Sequence, residues 1–144
     1  MVSPLTALGL LAEIGDFRRF ASARELMSVL GLTPSEYSSG QQRHRGSITK
    51  TGNQHARRLV VEAAWHYRHP PRHSLRTQRA AHHAGPVHAT RAWQAQIRLH
   101  HRHQTLAHHG KRSTVANVAV ARELVGFLWA AMTDQPPRQE VSAA

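Results

Sequence analysis

The spacing of apolar residues constrains the fold of this chain most strongly, because they recur at three- and four-residue steps through most of its 144 residues. That spacing is typical of amphipathic helices, each with one face in a core. It predicts five helices, at about residues 4–14, 23–30, 53–69, 88–107 and 113–132. We therefore predict a mainly α, small helical domain over residues 1–133, with long helices at its C-terminal end. Residues 134–144 are polar and contain proline, and we expect a disordered tail there.

Two of the predicted helices begin at capping residues. Ser3 precedes Pro4, and Ser22 stands three residues before Glu25, which is the spacing of a capping box. The predicted apolar face of the first helix consists of Leu5, Leu8, Leu11 and Ala12. That of the helix at 88–107 consists of Ala89, Trp93, Ile97 and Leu106. The segment 69–87, rich in Pro, His and Arg, is interpreted as a linker or a short irregular helix.

Residues 31–53 interrupt the helical pattern with many Gly, Pro, Ser and Thr residues, which predicts a surface loop or a short hairpin. The segment contains Ser39, followed directly by Gly40. Its cations after that pair are Arg43, Arg45 and Lys50. A serine hydroxyl can attack phosphorus where clustered cations neutralise the charge that builds on the phosphoryl oxygens. Ser-Gly pairs are also common in turns, so this motif alone is a weak signal for catalysis.

The charge of the chain is strongly positive and unevenly distributed. The formal net charge is +11, and 17 of the 19 cations are arginine. Residues 43–122 hold 15 cations and one acid, Glu62, whereas the residues before Tyr37 carry a net charge of −1. Arginine matches phosphate oxygens with a planar donor fork, so a polyanion should contact the middle and later parts of the chain. Arg57 and Arg58 are candidates for that contact; the other interpretation is a solvated face on which Arg58 pairs with Glu62.

Several classes of protein are disfavoured by composition. The chain has no cysteine, which excludes disulfides and thiolate metal sites. No stretch of about 20 apolar residues is evident, and no positive charge precedes the apolar N-terminal run, so we expect a soluble intracellular protein. The 13 histidines suggest metal binding, but Pro70 and Pro71 interrupt the helix that would align His66, His69 and His73. We therefore predict no metal site, and a histidine-rich metal-binding protein ranks far below nucleic-acid binding.

Three stretches of the chain resemble one family. They are LAEIGDFRRFASARELMSVLGLTPSEYSSG, RGSITKTGNQHARRLVVEAAWHYR and GKRSTVANVAVARELVGFLWA. These strings closely resemble the C-terminal domain of the insertion sequence one-hundred-and-ten family of transposases, also called bridge recombinases. The likeness runs from about Pro4 to Trp129 and therefore covers most of the chain.

The resemblance implies DNA transposition, and it implies which residues act. Family members join an N-terminal RuvC-like domain, in which four acids hold magnesium, to a C-terminal domain whose serine becomes covalently linked to DNA. The matching serine here is Ser39, with Ser38 as the alternative because the two adjoin. The cations expected to contact DNA are Arg43, Arg45, Lys50, Arg57 and Arg58. A structured guide RNA, a RuvC-like domain or full-length transposase, and a second copy of the chain are further expected partners.

The chain departs from the family pattern at its start. No acidic quartet is present, and Met1-Val2-Ser3-Pro4 stands where relatives carry the Gly-x-Gly-Pro turn of a helix-hairpin-helix. We therefore expect a partly truncated helix-hairpin-helix, no magnesium bound by this chain, and no recombination by the chain alone. A second interpretation is a decayed transposase that still binds nucleic acid but cleaves nothing. In either case the expected location is the cytoplasm, associated with the nucleoid.

Overall fold

We describe the fold from a computed structural model, which covers the backbone of residues 2–39 and 42–133 and the side chains of these residues except 37–39 and 42–45. Gly40 and the predicted disordered tail at 134–144 lie outside the described residues. The helices are α1 (Pro4–Ile14), α2 (Ala23–Val29), α3 (Gln54–Ala64), α4 (Leu75–Ala84), α5 (Pro86–His108) and α6 (Ser113–Thr133). Short 3-10 helices lie at Phe17–Arg19 and Trp65–Arg68, and two antiparallel strands, β1 (Pro34–Ser39) and β2 (Gln42–Ile48), form a hairpin. The predicted mainly α fold is confirmed.

The predicted helix starts are confirmed by their capping hydrogen bonds. The N-caps of α1, α2 and α3 are Ser3, Ser22 and Asn53. At α2 the Ser22 hydroxyl accepts from the Glu25 N–H at 3.3 Å. The Glu25 carboxylate completes the box one residue earlier than the usual pattern, since it accepts from the Ala21 N–H at 2.8 Å.

Residues 75–84, which we expected to be a linker or an irregular helix, form the regular helix α4. A reciprocal capping box starts it: the Thr77 N–H donates to the Ser74 hydroxyl at 3.2 Å, and the Ser74 N–H donates to the Thr77 hydroxyl at 2.8 Å. The apolar pattern did not predict this helix because none of its residues is buried. Gly85, at a φ of 82°, separates α4 from α5, which begins at Pro86 rather than near His88.

The predicted apolar face of α1 is wrong. Leu5, Leu8 and Leu11 are 81%, 63% and 41% exposed, and Leu10 and Ile14 are the buried residues instead. Because α1 is apolar on almost every side, its periodicity is compatible with more than one buried face. The side that faces α3 is the one containing Gly9, where an added Cβ would stand 2.8 Å from the Leu59 side chain.

The buried face of α5 also differs from the prediction. Ile97 is 47% exposed, whereas Ala95 and Leu99, four residues apart, are the buried positions. Trp93 is half-buried, and its ring stacks on the His73 ring with centroids 3.8 Å apart. This stacking attaches the segment before α4 to the surface of α5.

Helix α6 occupies the centre of the core and contacts α2, α3 and α5. Its buried Asn117 donates from Nδ2 to the Val61 carbonyl of α3 at 2.9 Å, and its Trp129 donates from Nε1 to the Phe20 carbonyl at 3.2 Å. By length and composition alone α6 could cross a membrane, so the expectation that no stretch approaches that length is wrong. A core helix passes the same test, and the contacts of α6 are those of a core helix.

A polar contact joins the end of α1 to the start of α3. The Glu13 carboxylate accepts from Asn53 Nδ2 at 2.8 Å, and the same carboxylate lies 2.8 Å from His55 Nδ1. The hydrogen bond from Asn53 lowers the pKa of the Glu13 carboxyl below its ordinary value, and the hydrogen bond with His55 adds a smaller effect in the same direction. The contact fixes the N-terminal end of α3 beside α1.

Candidate nucleic-acid interface

The hairpin holds the predicted nucleophile at its outer end. In the backbone register of the two strands Ser39 pairs with Gln42 and Ser38 pairs with Arg43. Ser39 is the last residue of β1, next to Gly40, which is outside the described residues. The hairpin therefore brings the backbones of Ser38, Ser39 and Arg43 close together. The three residues are at most five positions apart in the sequence, so a short hairpin is enough to do this.

The base of the hairpin is attached to the end of α2 by backbone hydrogen bonds. The Lys50 N–H donates to the Gly31 carbonyl at 3.0 Å, and the Asn53 N–H donates to the Val29 carbonyl at 2.9 Å. Gly31 and Gly52 adopt φ values of 65° and 78°, where side chains are disfavoured. A Cβ at Gly31 would overlap the Thr51 backbone, and one at Gly52 would overlap the Val29 carbonyl. The close packing of backbone on backbone holds the base of the hairpin against the end of α2.

Arg57 is part of this attachment. Its Nη1 donates to the Leu30 carbonyl at 3.0 Å and to the Thr51 carbonyl at 3.1 Å, so the guanidinium joins the end of α2 to the loop after β2. The side chain is half-buried. Its predicted contact with DNA stays a prediction, but the carbonyl contacts give Arg57 a structural role that the sequence did not reveal.

Arg58 is placed differently although it is the next residue. Its Nε donates to the Glu62 carboxylate at 2.8 Å, the i,i+4 pair predicted from the sequence, and its side chain is 76% exposed. The hydrogen bond with Glu62 raises the pKa of the Arg58 guanidinium above its ordinary value. An exposed ion pair of this kind is weak and leaves the remaining N–H groups of the guanidinium accessible.

The structure gathers three of the five predicted DNA-contacting cations around one concave surface. Lys50, Arg57 and Arg58 line a cavity of about 320 Å³ between the hairpin base, α3 and α6. Its other lining residues are Ile48, Gln54, Val61 and Val118. We call these seven residues the basic cleft. None of these seven residues is acidic, and the apolar floor carries cations at its rim, which suits the sugar and phosphate of a nucleic-acid backbone.

The sequence did not identify Gln54 or Val118 as members of this surface. Val118 reaches it only because α6 crosses α3, a tertiary contact that spacing along the chain does not encode. The remaining two predicted cations, Arg43 and Arg45, lie on β2, and the structure describes their backbone only.

Donors for a metal ion do not converge in the described part of the chain. Among those residues no group of three or more His, Cys, Asp or Glu side chains is placed to hold a metal. The magnesium that the family resemblance implies belongs to the RuvC-like domain, and the described residues of this chain offer no such cluster for it.

Comparison with known proteins gives a consistent result. The family model described as Transposase IS116/IS110/IS902 family matches residues 2–79. A Sinorhizobium fredii protein named as a transposase, y4qE, is 46% identical over 129 residues, which is 90% of this chain and 33% of that protein. The Coxiella burnetii transposase for insertion sequence element IS1111A is 38% identical over 63 residues, 44% of this chain and 17% of its own length.

The chain thus spans about a third or less of the length of these curated relatives. No solved structure matches it.

Proposed function

The chain belongs to the IS116/IS110/IS902 family of transposases, and from this we propose that it serves DNA transposition as the serine-carrying, DNA-binding part of a transposase. The family match is the observation that carries the proposal. The basic cleft and the position of Ser39 at the end of the hairpin support it.

In the proposed reaction the Ser39 hydroxyl oxygen attacks a DNA phosphorus. The Oγ–P bond forms while the bond from phosphorus to the departing strand oxygen breaks; the serine loses its proton and the departing oxygen gains one. Negative charge develops on the phosphoryl oxygens during this step, and cations beside the serine stabilise it. Arg43 and Arg45 are assigned this role as the two cations of β2, and Arg43 pairs in register with Ser38. Ser38 is the alternative nucleophile.

Lys50, Arg57 and Arg58 are assigned to phosphates away from the attacked one. They lie around the basic cleft at the opposite end of the hairpin from Ser39, so they position the DNA rather than act in the reaction. Arg57 contributes its charge to this surface while its Nη1 remains on the two carbonyls.

Further parts of the proposal concern partners. A RuvC-like domain that holds magnesium, a structured guide RNA and a second copy of the chain would complete the active assembly, on the nucleoid in the cytoplasm. Each relative is at least about three times as long as the segment that matches this chain, so each has room for such a domain. The second candidate is a protein that binds nucleic acid but no longer cleaves DNA. The strongly basic surface favours it, because such a surface can bind nucleic acid without any catalytic step.

Salt dependence tests the binding that both candidates require. If about five phosphates are engaged, the affinity for duplex DNA should fall with a log-log slope of about −4 to −5 between 50 and 200 mM salt. In the double variant Lys50→Gln/Arg58→Gln the slope should flatten by about 2, because two phosphate contacts are lost. The matched control is Arg18→Gln/Arg24→Gln, two exposed arginines from the part of the chain without excess charge, which should leave the slope unchanged.

Fluorescence anisotropy with a labelled duplex measures all three proteins. A wild-type affinity for DNA that does not change with salt concentration would contradict the proposal. Equal slopes for the cleft variant and the control would show that the basic cleft is not the contact surface.

A further inference from the structure

Helix α4 carries a stripe of positive charge on the side that faces away from the rest of the protein. Its charges are those of Arg76 and Arg79, three residues apart and within an arc of about 60° around the helix axis, and the imidazole of His83 lies between them on the same side. All three are exposed, whereas Thr77 and Ala81, on the opposite side of α4, are half-buried toward α5. Arg72, also exposed, lies just before the helix and four residues from Arg76.

Among the residues that the structure describes, nothing acidic offsets this stripe locally. Residues 63–122 contain no Asp or Glu, so neither α4 nor α5 supplies a carboxylate. Glu123 of α6 pairs with Arg98 and Arg102 of α5 and not with α4. Like charges at three- and four-residue steps destabilise a helix. An anionic ligand bound along the stripe would remove that repulsion.

A cavity of about 350 Å³ opens at the N-terminal end of the stripe. Its lining includes His66, His69, Pro70, Arg72, Thr77 and Gln96. The imidazole rings are flat aromatic surfaces on which a base can stack, and the hydroxyl and amide groups can bond to base edges. The volume is within the usual range for small-ligand sites, about 300–1,000 Å³. The stacked rings of His73 and Trp93 hold the adjacent segment against α5.

We propose that α4 and this cavity form a second nucleic-acid site, which binds a single strand with its phosphates along Arg72, Arg76 and Arg79 and one unpaired nucleotide in the cavity. A single strand is favoured over a duplex because a paired base is stacked inside the helix and cannot enter a cavity. The inference rests on the proposed function only in taking the partner to be nucleic acid. It needs neither the Ser39 reaction nor the basic cleft.

The test compares two variants with the wild-type chain and a control. Arg72→Gln/Arg76→Gln/Arg79→Gln removes the stripe, and Arg18→Gln/Arg24→Gln/Lys111→Gln removes the same charge from exposed positions elsewhere. His66→Ala/His69→Ala removes two exposed rings from the cavity. Circular dichroism confirms that each is folded. Anisotropy then measures binding to a labelled single-stranded DNA, the same sequence as RNA, and the DNA duplex, at several salt concentrations.

The stripe variant should bind a single strand at least about tenfold more weakly than the control, with a salt slope flatter by about 2 for three lost contacts. The cavity variant should lose affinity for a single strand and not for the duplex. A larger effect on the DNA or on the RNA strand identifies the natural source. If the wild-type chain binds no nucleic acid, the proposed function fails. If it binds but the stripe variant matches the control, or the cavity variant loses both affinities equally, this inference alone is overturned.

Discussion

Arg57 and Arg58 show how neighbouring identical residues come to act differently. Both lie on α3, yet the guanidinium of Arg57 joins two backbone carbonyls beneath the hairpin while that of Arg58 pairs with Glu62 on the surface. The sequence predicted the pair of Arg58 because its partner is four residues away on the same helix. It could not predict the contacts of Arg57, whose acceptor Leu30 lies 27 residues away.

The stabilities of two variants should therefore differ. Arg57→Met removes hydrogen bonds made by a charged donor to two carbonyls and should cost about 1–3 kcal/mol of unfolding free energy. Arg58→Gln removes an exposed, solvent-screened ion pair and should change the unfolding free energy far less than Arg57→Met does. Urea unfolding followed by circular dichroism measures both. Equal losses would show that the carbonyl contacts of Arg57 contribute nothing beyond surface charge.

At the scale of elements, the hairpin depends on two glycines at its base. Gly31→Ala and Gly52→Ala place a methyl group on backbone atoms of Thr51 and Val29 and also require a positive φ. Each substitution should lower the free energy of unfolding by clearly more than the roughly 1 kcal/mol expected from conformational strain alone. Gly110→Ala is the matched control, since Gly110 has a φ of 70° with no atom near its added Cβ.

Thermal unfolding of the three alanine variants measures these costs. The two hairpin-base variants should melt well below the Gly110→Ala protein. A Gly31→Ala protein no less stable than Gly110→Ala would mean that the close approach of the hairpin base to α2 is wrong.

How far the sequence predicted each element depended on what stabilises that element. Helices with local signals, such as the Ser22 cap of α2, were predicted well because both partners of the hydrogen bond are close in the chain. Helix α4 was missed because it buries nothing, and the face of α1 was misplaced because leucines surround that helix. The buried side of α1 is decided by the approach of Leu59 to Gly9, a contact between residues 50 positions apart.

For the molecule as a whole, the sequence predicted the kind of partner better than its location. The excess of arginine was evident from composition, and the position of Ser39 followed from the family motif. The sequence did not show which cations share a surface, because Lys50 meets Arg57 and Arg58 only when the hairpin base folds back on α3. The stripe on α4 was likewise hidden by the expectation of a linker at 69–87.

Detection of a covalent adduct is the decisive test of the proposal that Ser39 becomes bonded to DNA. The chain is incubated with DNA carrying a family insertion-sequence end and with a RuvC-like domain from a family member on a second chain, and the product is mapped by mass spectrometry. We predict a phosphodiester adduct on Ser39 with the partner domain, none without it, and none for Ser39→Ala, whose DNA affinity should stay close to that of the wild type because a hydroxyl adds little to many phosphate contacts. An adduct lost only in Ser38→Ala would move the nucleophile by one residue, and an adduct that persists in Ser38→Ala/Ser39→Ala would contradict the serine mechanism.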